Sequence, residues 1–256
     1  MRILFTICGR AGSKGVKNKN LREFLGAPLS WYSLSAIDLY LKNYRQDADF
    51  DVVANSDSRE LLRVLSENPF LKVDTILRGE ELSGDTAAKK DVILDCLRQM
   101  EERKGYLYDV VVDLDITSPL RKKEDLLHLI TTHFDRKADI TYSVTPARRN
   151  PYFNQVTYSE EKGARIVIGS DITTRQQAPA VYDMNASLYA YRPDFIKNGG
   201  DFDEGYEAII EMEDTAVLDI DSEEDFRLMG VVAKYLFEND PSFGEIRNNI
   251  PKTDVC

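Results

Sequence analysis

Short apolar runs alternate along this chain with segments in which apolar residues recur every three or four positions. The first pattern is that of buried strands and the second that of amphipathic helices. Ile3-Leu4-Phe5-Thr6-Ile7 predicts a strand, and Leu29, Trp31, Leu34, Ile37 and Leu41 predict a helix with Pro28 in its first turn. Asp51-Val52-Val53-Ala54 repeats the strand signal, followed by a helix through Leu61, Leu62 and Leu65 that Ser56 or Asp57 can cap. Val73-Asp74-Thr75-Ile76-Leu77 predicts a third strand, and Val92, Ile93, Cys96, Leu97 and Met100 form one stripe of a helix running from Asp85. The apolar body of residues 109–116 is a central strand, Leu126, Leu127, Leu129, Ile130 and Phe134 mark a helix, and residues 139–144 and 186–191 are further strands. Residues 216–221 read as a strand, and a last helix, capped by Asp221 or Ser222, carries Phe226, Met229, Val232, Ala233 and Leu236.

This alternation predicts a single α/β domain over residues 1–240, with a mostly parallel central sheet and helices on both faces. In such sheets ligands bind at the carboxyl ends of the strands. Residues 147–182 break the rhythm, with Arg148, Arg149, Pro151, Tyr152 and Phe153 followed by two short strand-like runs and Arg175-Gln176-Gln177-Ala178-Pro179. The segment reads as an insertion from the sheet, and its exposed aromatic residues suit packing on a second subunit. Arg148 and Arg149, just after a strand, suit a carboxylate or that partner; the alternative is a basic surface loop. Residues 241–256 read as a loose polar tail.

Charge and composition narrow the functional classes. A formal net charge of −11 over 256 residues argues against sequence-wide binding to a nucleic acid polymer or an anionic membrane. Cys8, Cys96 and Cys256 are spaced too widely for a disulfide framework or a zinc site. No apolar stretch approaches the length of a membrane span, so a cytoplasmic location is expected. Histidine chemistry has only His128 and His133 to draw on, and both read as helix-surface residues.

Against that acidic background the stretch from Cys8 to Asn20 inverts the sign. Gly9, Gly12 and Gly15 permit sharp turns and close approach of backbone N–H groups, and Arg10, Lys14, Lys17 and Lys19 stand among them with no acid before Glu23. Such a loop after a first strand suits a polyphosphate; the alternative is a solvated turn. Neither the Gly-x4-Gly-Lys-Ser/Thr spacing nor Gly-x-Gly-x-x-Gly is present. Asp113 and Asp115, two apart on the central strand, share a face at its carboxyl end; Asp113 reads as a surface carboxylate there. Cys8 reads as a packed residue at the end of its strand.

Four islands in order, Arg10-x-x-Ser13-Lys14-Gly15-x-x-x-Lys19-Asn20, Asp85-Thr86-Ala87, Thr117-Ser118-Pro119-Leu120-Arg121 and Asp219-Ile220-Asp221-x-x-x-Asp225-Phe226, together resemble the acylneuraminate cytidylyltransferases. Those enzymes make CMP-activated sialic acids and related nonulosonic acids. Arg175-Gln176-Gln177 and Asn185-Ala186-x-x-Tyr189 add a fifth island. The resemblance implies a Rossmann-like nucleotidyltransferase domain with a small inserted dimerisation segment, hence a homodimer. It implies that CTP and a 2-keto sugar acid react to give the CMP-sugar and pyrophosphate. Arg10, Lys14 and Lys19 would grip the triphosphate, and Mg2+ or another divalent cation would sit on Asp115, Asp219 and Asp221, with Asp221 essential to catalysis. Gly9, Ser13, Asn20, Arg78, Asp85, Thr117, Ser118, Arg175, Gln176, Asn185 and Tyr189 would contact the substrates.

Three departures accompany the resemblance. Asp115 stands where the sialic acid enzymes usually have Gln and where ketodeoxyoctulosonate cytidylyltransferases have Asp. Ala88, Lys89 and Lys90 replace small hydroxyl residues that help to read the base. Asp183 replaces a basic residue expected in some members. The alternatives are a nucleotidyltransferase for a ketodeoxy-octulosonate or another nucleotide and sugar-phosphate pair, and a non-catalytic nucleotide-sugar sensor.

Overall fold

The computed structural model describes residues 1–10, 12, 16, 18–45, 48–84 and 87–251, with 216 and 217 described by their backbone alone. Strand β1 (Arg2–Cys8) is followed by a small ladder of β2 (Glu23–Phe24) with β3 (Ala27–Pro28) and by helix α1 (Trp31–Tyr44). Then come β4 (Asp49–Ser56), α2 (Arg59–Ser66), β5 (Asp74–Leu77), α3 (Lys89–Lys104), β6 (Val110–Leu114), α4 (Lys123–Arg136) and β7 (Ile140–Pro146). A hairpin of β8 (Val156–Ser159) and β9 (Gly163–Ile166) precedes β10 (Tyr182–Tyr191), α5 (Pro193–Lys197), β11 (Glu207–Glu211), α6 (Glu223–Asn239) and α7 (Pro241–Asn249).

The main sheet has seven strands in the order β11-β7-β10-β6-β1-β4-β5. Only β10 runs antiparallel to its neighbours; the other pairings are parallel. Burial on both faces explains why β1 reads as an unbroken apolar run. Ile3, Phe5 and Ile7 enter the core shared with α1, α2, α4, α6 and α7, whereas Leu4 enters the one under α3 and α5. The expected two-faced α/β architecture is therefore present. Among the described residues no helix is long and apolar enough to cross a membrane.

Five local expectations differ. Helix α3 begins at Lys89, not Asp85. Ser58 caps α2 by accepting from Leu61 N at 3.2 Å, while Ser56 takes the N–H of Ser58. Residues 218–221 pair with no strand: a 3-10 turn (Asp214–Val217) leads into them, and their period-two pattern arises because Ile220 is buried and Leu218 packs against the same core. The polar tail contains a packed helix, α7, because Phe243, Ile246 and Ile250 recur at helical spacing and are buried, with Asp240 capping through Ser242 N. His133 lies on the buried stripe of α4 with Leu126, Leu129 and Ile130, whereas His128 is exposed as expected. His133 Nδ1 is 3.0 Å from Thr141 Oγ1, and burial, with Arg192 nearby, pushes its pKa down to about 4.

The insertion leaves the sheet after β7 and returns as β10. In its hairpin Val156 pairs with Ile166 and Tyr158 with Ala164. Val156, Tyr158 and Ile166 are exposed, so one apolar face of this two-stranded ribbon has no cover among the described residues.

Candidate active site

Strands β1, β4, β5 and β6 end on one edge of the sheet, and there the first loop starts. Gly9 donates its N–H to Asn55 O at 3.1 Å, and its carbonyl accepts from Arg78 Nη2 at 3.2 Å. A Cβ on Gly9 would lie 2.6 Å from Leu61 Cδ2 and 2.9 Å from Ile116 Cδ1, so this turn admits no side chain without displacement. Arg78, expected at the substrate, also donates to Asn55 Oδ1 at 2.7 Å and Asn55 O at 2.9 Å and ties the ends of β1 and β4 together. Asn20 Nδ2 holds the Arg10 carbonyl at 3.2 Å. Ser13, Lys14 and Asp85 lie outside the described residues.

The loop closes on the last acidic run. The Lys19 ammonium contacts Asp221 Oδ1 at 3.3 Å and donates to the Ile220 carbonyl. Beside it Arg22 holds both oxygens of Glu223 at 2.7 Å, with its guanidinium carbon 3.9 Å from the Phe226 ring centroid. Ser222 caps α6 in a reciprocal pair with Asp225, so the Asp221 carboxylate is not used as the cap. Asp221 is exposed and Asp219 half-buried. Burial pushes the Asp219 carboxyl above its ordinary pKa, and the charges of Asp115 and Asp221 add to this, against the Thr117 hydroxyl and Lys19.

At the end of β6, Asp113 is wholly buried, contrary to its reading as a surface carboxylate. It is tolerated because Thr6 Oγ1 donates to its Oδ1 at 2.7 Å and the Lys89 ammonium lies 2.8 Å from its Oδ2, as an ion pair outside hydrogen-bonding direction. The same ammonium donates to Asp115 Oδ2 at 2.7 Å, while Thr117 N and Oγ1 donate to Asp115 Oδ1 at 2.9 and 2.8 Å. Burial alone would raise the Asp115 pKa, but Lys89 and Thr117 outweigh it and hold the carboxyl well below its usual range. Among the described residues no three His, Cys, Asp or Glu side chains form a metal-holding group.

Strand β10 and the insertion border the same sheet edge. A left-handed Ala186 (φ 54°) and a register shift between Met184 and Tyr189 turn β10 out of regular pairing. Asn185 accepts from Ser143 Oγ at 2.6 Å and Ser187 N at 3.2 Å, while its buried Nδ2 has no partner among the described residues. Tyr189 stacks on Tyr191 with centroids 6.1 Å apart, and Lys89 Nζ lies 5.5 Å from the Tyr189 ring centroid. Ser118 is buried, its Oγ likewise without a partner among the described residues. Arg175 and Gln176 are exposed in a 3-10 turn of the insertion. Arg175 lines a hollow of about 240 Å³ with Arg148, Asn150, Tyr182 and Glu211, at the same sheet edge. Arg148 there pairs with Asp214.

A lysine from the first loop thus meets the acidic run near the other end of the chain, above the ends of parallel strands. The cytidylyltransferase family profile matches residues 4–226. The chain belongs to the cytidylyltransferase family. It is an enzyme of the nucleotidyltransferase class. This cytidylyltransferase is 36% identical over 236 residues to post-translational flagellin modification protein B of Campylobacter coli, spanning 91% of this chain and 95% of that one. It is 33% identical over 230 residues to CMP-N,N'-diacetyllegionaminic acid synthase of Campylobacter jejuni, spanning 89% and 93%. Among solved structures, CMP:2-keto-3-deoxy-manno-octonic acid synthetase complexed with CTP superposes with a TM-score of 0.65 over 92% of this chain and 99% of that one. At 12% identity that likeness is one of fold.

Sequence reasoning placed Lys19 and Asp221 together and missed three groups of this cytidylyltransferase: Lys89, Asp113 and Arg121. Lys89 and Lys90 open α3 where the helix dipole disfavours cations, a mismatch hidden in the sequence because the pattern there predicts a helix beginning at Asp85. Arg121 is 1% exposed and donates to Ser187 Oγ (3.2 Å), Ser33 Oγ (2.9 Å) and Asp115 O (2.5 Å). Its membership of the Thr-Ser-Pro-Leu-Arg run was visible; its burial was not.

Proposed function

We propose that this cytidylyltransferase transfers CMP from CTP to the anomeric hydroxyl of a nonulosonic acid and releases pyrophosphate. The hydroxyl oxygen forms the new bond to the α-phosphorus as the bond to the bridging oxygen of the leaving pyrophosphate breaks, and the hydroxyl proton is lost. Such a displacement asks the protein mainly for positioning and charge neutralisation. The observation that carries this reading is the convergence of Lys19 with Asp221 and the Ile220 carbonyl at the sheet edge. Lys19 and Arg10 hold the phosphates there, and Gly9 lets the backbone approach them. Asn185 Nδ2 offers an unused donor to the sugar acid, Tyr189 an aromatic wall, and Arg175 a cation for a carboxylate. The sequence likeness to the legionaminic acid synthase supports an acceptor of that chemical class.

A divalent cation fits Asp219 and Asp221, which stand two residues apart beside the loop lysine and are not used by the helix cap. Mg2+ commonly takes one or two carboxylates and completes its shell with water and substrate phosphate, so a third acidic ligand is not required. When bound it would offset charge on the α-phosphate and the leaving pyrophosphate. The uncovered apolar face of the β8–β9 hairpin supports a homodimer, and the class of reaction a cytoplasmic location.

Pyrophosphate release with each of the four nucleoside triphosphates, against a panel of 2-keto sugar acids with and without Mg2+, tests the proposal. Release with CTP and a nonulosonic acid is expected. Release only with a ketodeoxy-octulosonate, or with another nucleotide and a sugar phosphate, would move the assignment. No release under any pairing would leave a nucleotide-sugar sensor.

A further inference from the structure

Lys89 and Lys90 open α3, a placement that the helix dipole disfavours. Each is compensated from outside the helix. Lys90 Nζ meets Asp201 Oδ2 at 2.7 Å, where the aspartate is half exposed. Lys89 is held more deeply, 2.8 Å from Asp113 Oδ2 and 2.7 Å from Asp115 Oδ2. Thr6 takes the second oxygen of Asp113, and Thr117 takes the second oxygen of Asp115 twice over. All four carboxylate oxygens are therefore engaged. Two carboxylates this enclosed need a positive charge between them, and the remaining question is which cation supplies it.

We infer that Lys89 occupies the cation position at the end of β6: its ammonium neutralises Asp113 and Asp115 together and keeps Asp115 out of the metal shell. The divalent ion that accompanies the nucleotide is thereby left to Asp219 and Asp221, a consequence that rests on the transferase proposal. A Mg2+–oxygen bond of about 2.0–2.1 Å at Asp115 Oδ2 would put the ion where the ammonium stands. Lys89 is a positioning residue in this scheme. It replaces a hydroxyl position that the family resemblance ties to base reading with one that fixes the charge and orientation of Asp115.

Mn2+ counted by electron paramagnetic resonance on the folded chain, without nucleotide, tests this directly. Lys89→Met is expected to gain one bound Mn2+ per chain over the unaltered protein. The gain should vanish in the Lys89→Met/Asp115→Asn double variant and be absent in Lys89→Arg. A Lys89→Met chain that binds no more Mn2+ than the unaltered one overturns the inference. Should Lys89→Met fail to fold, Asp115→Asn decides. With CTP present, that variant should bind as many Mn2+ ions as the unaltered protein, whereas Asp221→Asn should bind fewer; an ion lost from Asp115→Asn overturns the inference. Transferase activity is read separately as pyrophosphate release. A chain that releases none, but gains Mn2+ on Lys89→Met, would refute the proposed reaction and leave Lys89 in its place.

Discussion

Replacing Lys19 with methionine separates what the first loop does for stability from what it does for chemistry. The substitution removes the ammonium and keeps most of the apolar stem. The Lys19 side chain is 13% exposed but Asp221 is 80% exposed, so their 3.3 Å pair faces water on one side. A pair in that setting contributes about 0.2–1 kcal/mol. The bond from this charged donor to the Ile220 carbonyl adds about 1.5–3 kcal/mol. Unfolding free energy should therefore fall by no more than about 4 kcal/mol. A preorganised donor aimed at developing phosphoryl charge acts on turnover instead, through about 3–4 kcal/mol of transition-state stabilisation. Lys19→Met should thus lose on the order of 100- to 1000-fold in kcat/KM while remaining folded. Urea unfolding and pyrophosphate release measured on the same preparation compare the two. Turnover within threefold of the unaltered protein refutes the assignment of Lys19 to the triphosphate. A stability loss above about 5 kcal/mol would show that the loop contact is chiefly structural.

Three further outcomes are expected. His133 is held neutral in the folded state, with a pKa of about 4 against an ordinary 6.5. The unfolded chain binds the proton first, so stability is full above about pH 6.5 and falls as pH drops towards 4, by about 2 kcal/mol at pH 5. His133→Asn should flatten that slope in urea melts across pH 4.5–7, and an unchanged slope would assign it to other groups. Phe243→Ala should cost about 3–5 kcal/mol, read as a urea midpoint shift, because the ring is 2% exposed in the core shared by α1, α6 and α7; a shift under about 1 kcal/mol would mean that α7 is dispensable. Tyr158→Asp on the exposed hairpin face should convert the proposed homodimer to a monomer in sedimentation without lowering the melting temperature of the chain; an unaltered chain that is already monomeric, or a mass unchanged by the substitution, refutes an interface on this face.

Much of the sheet was legible because its signals are local. Strands buried on both faces, such as β1 and β6, read as continuous apolar runs, and the stripe of α3 is complete within sixteen residues. Where sequence and structure part, a local pattern has two causes. Leu218 and Ile220 alternate with Asp219 and Asp221 as in a strand, yet the alternation anchors an unpaired segment on the core. The apolar residues of α7 are sparse enough to be hidden among polar neighbours, although Phe243, Ile246 and Ile250 suffice to dock it. His133 fails for a related reason: a histidine on an amphipathic helix reads as surface until the phase of the helix is known, and here it falls in line with Leu129 and Ile130.

The site follows a harder rule, since its charges are settled by partners far apart in sequence. The sign inversion of the first loop was visible, and so was the acidic run near residue 220, but not the pairing of Lys89 with carboxylates across the α3–β6 connection. Arg121 explains how that pairing is kept in order. Its buried guanidinium donates to neutral oxygens among the described residues, those of Ser33, Ser187 and the Asp115 carbonyl, and burial, against the charges of Asp115 and its neighbours, lowers its pKa to about 10. By gripping the carbonyl of Asp115 it fixes the turn into Thr117, whose N–H and hydroxyl hold Asp115 Oδ1. The other oxygen of Asp115 then accepts from Lys89. A cation bound to neutral oxygens thus leaves these carboxylates to other positive charges: Asp113 and Asp115 share Lys89, and Asp221 meets Lys19. Composition records how many such charges there are; their allotment is a property of the fold.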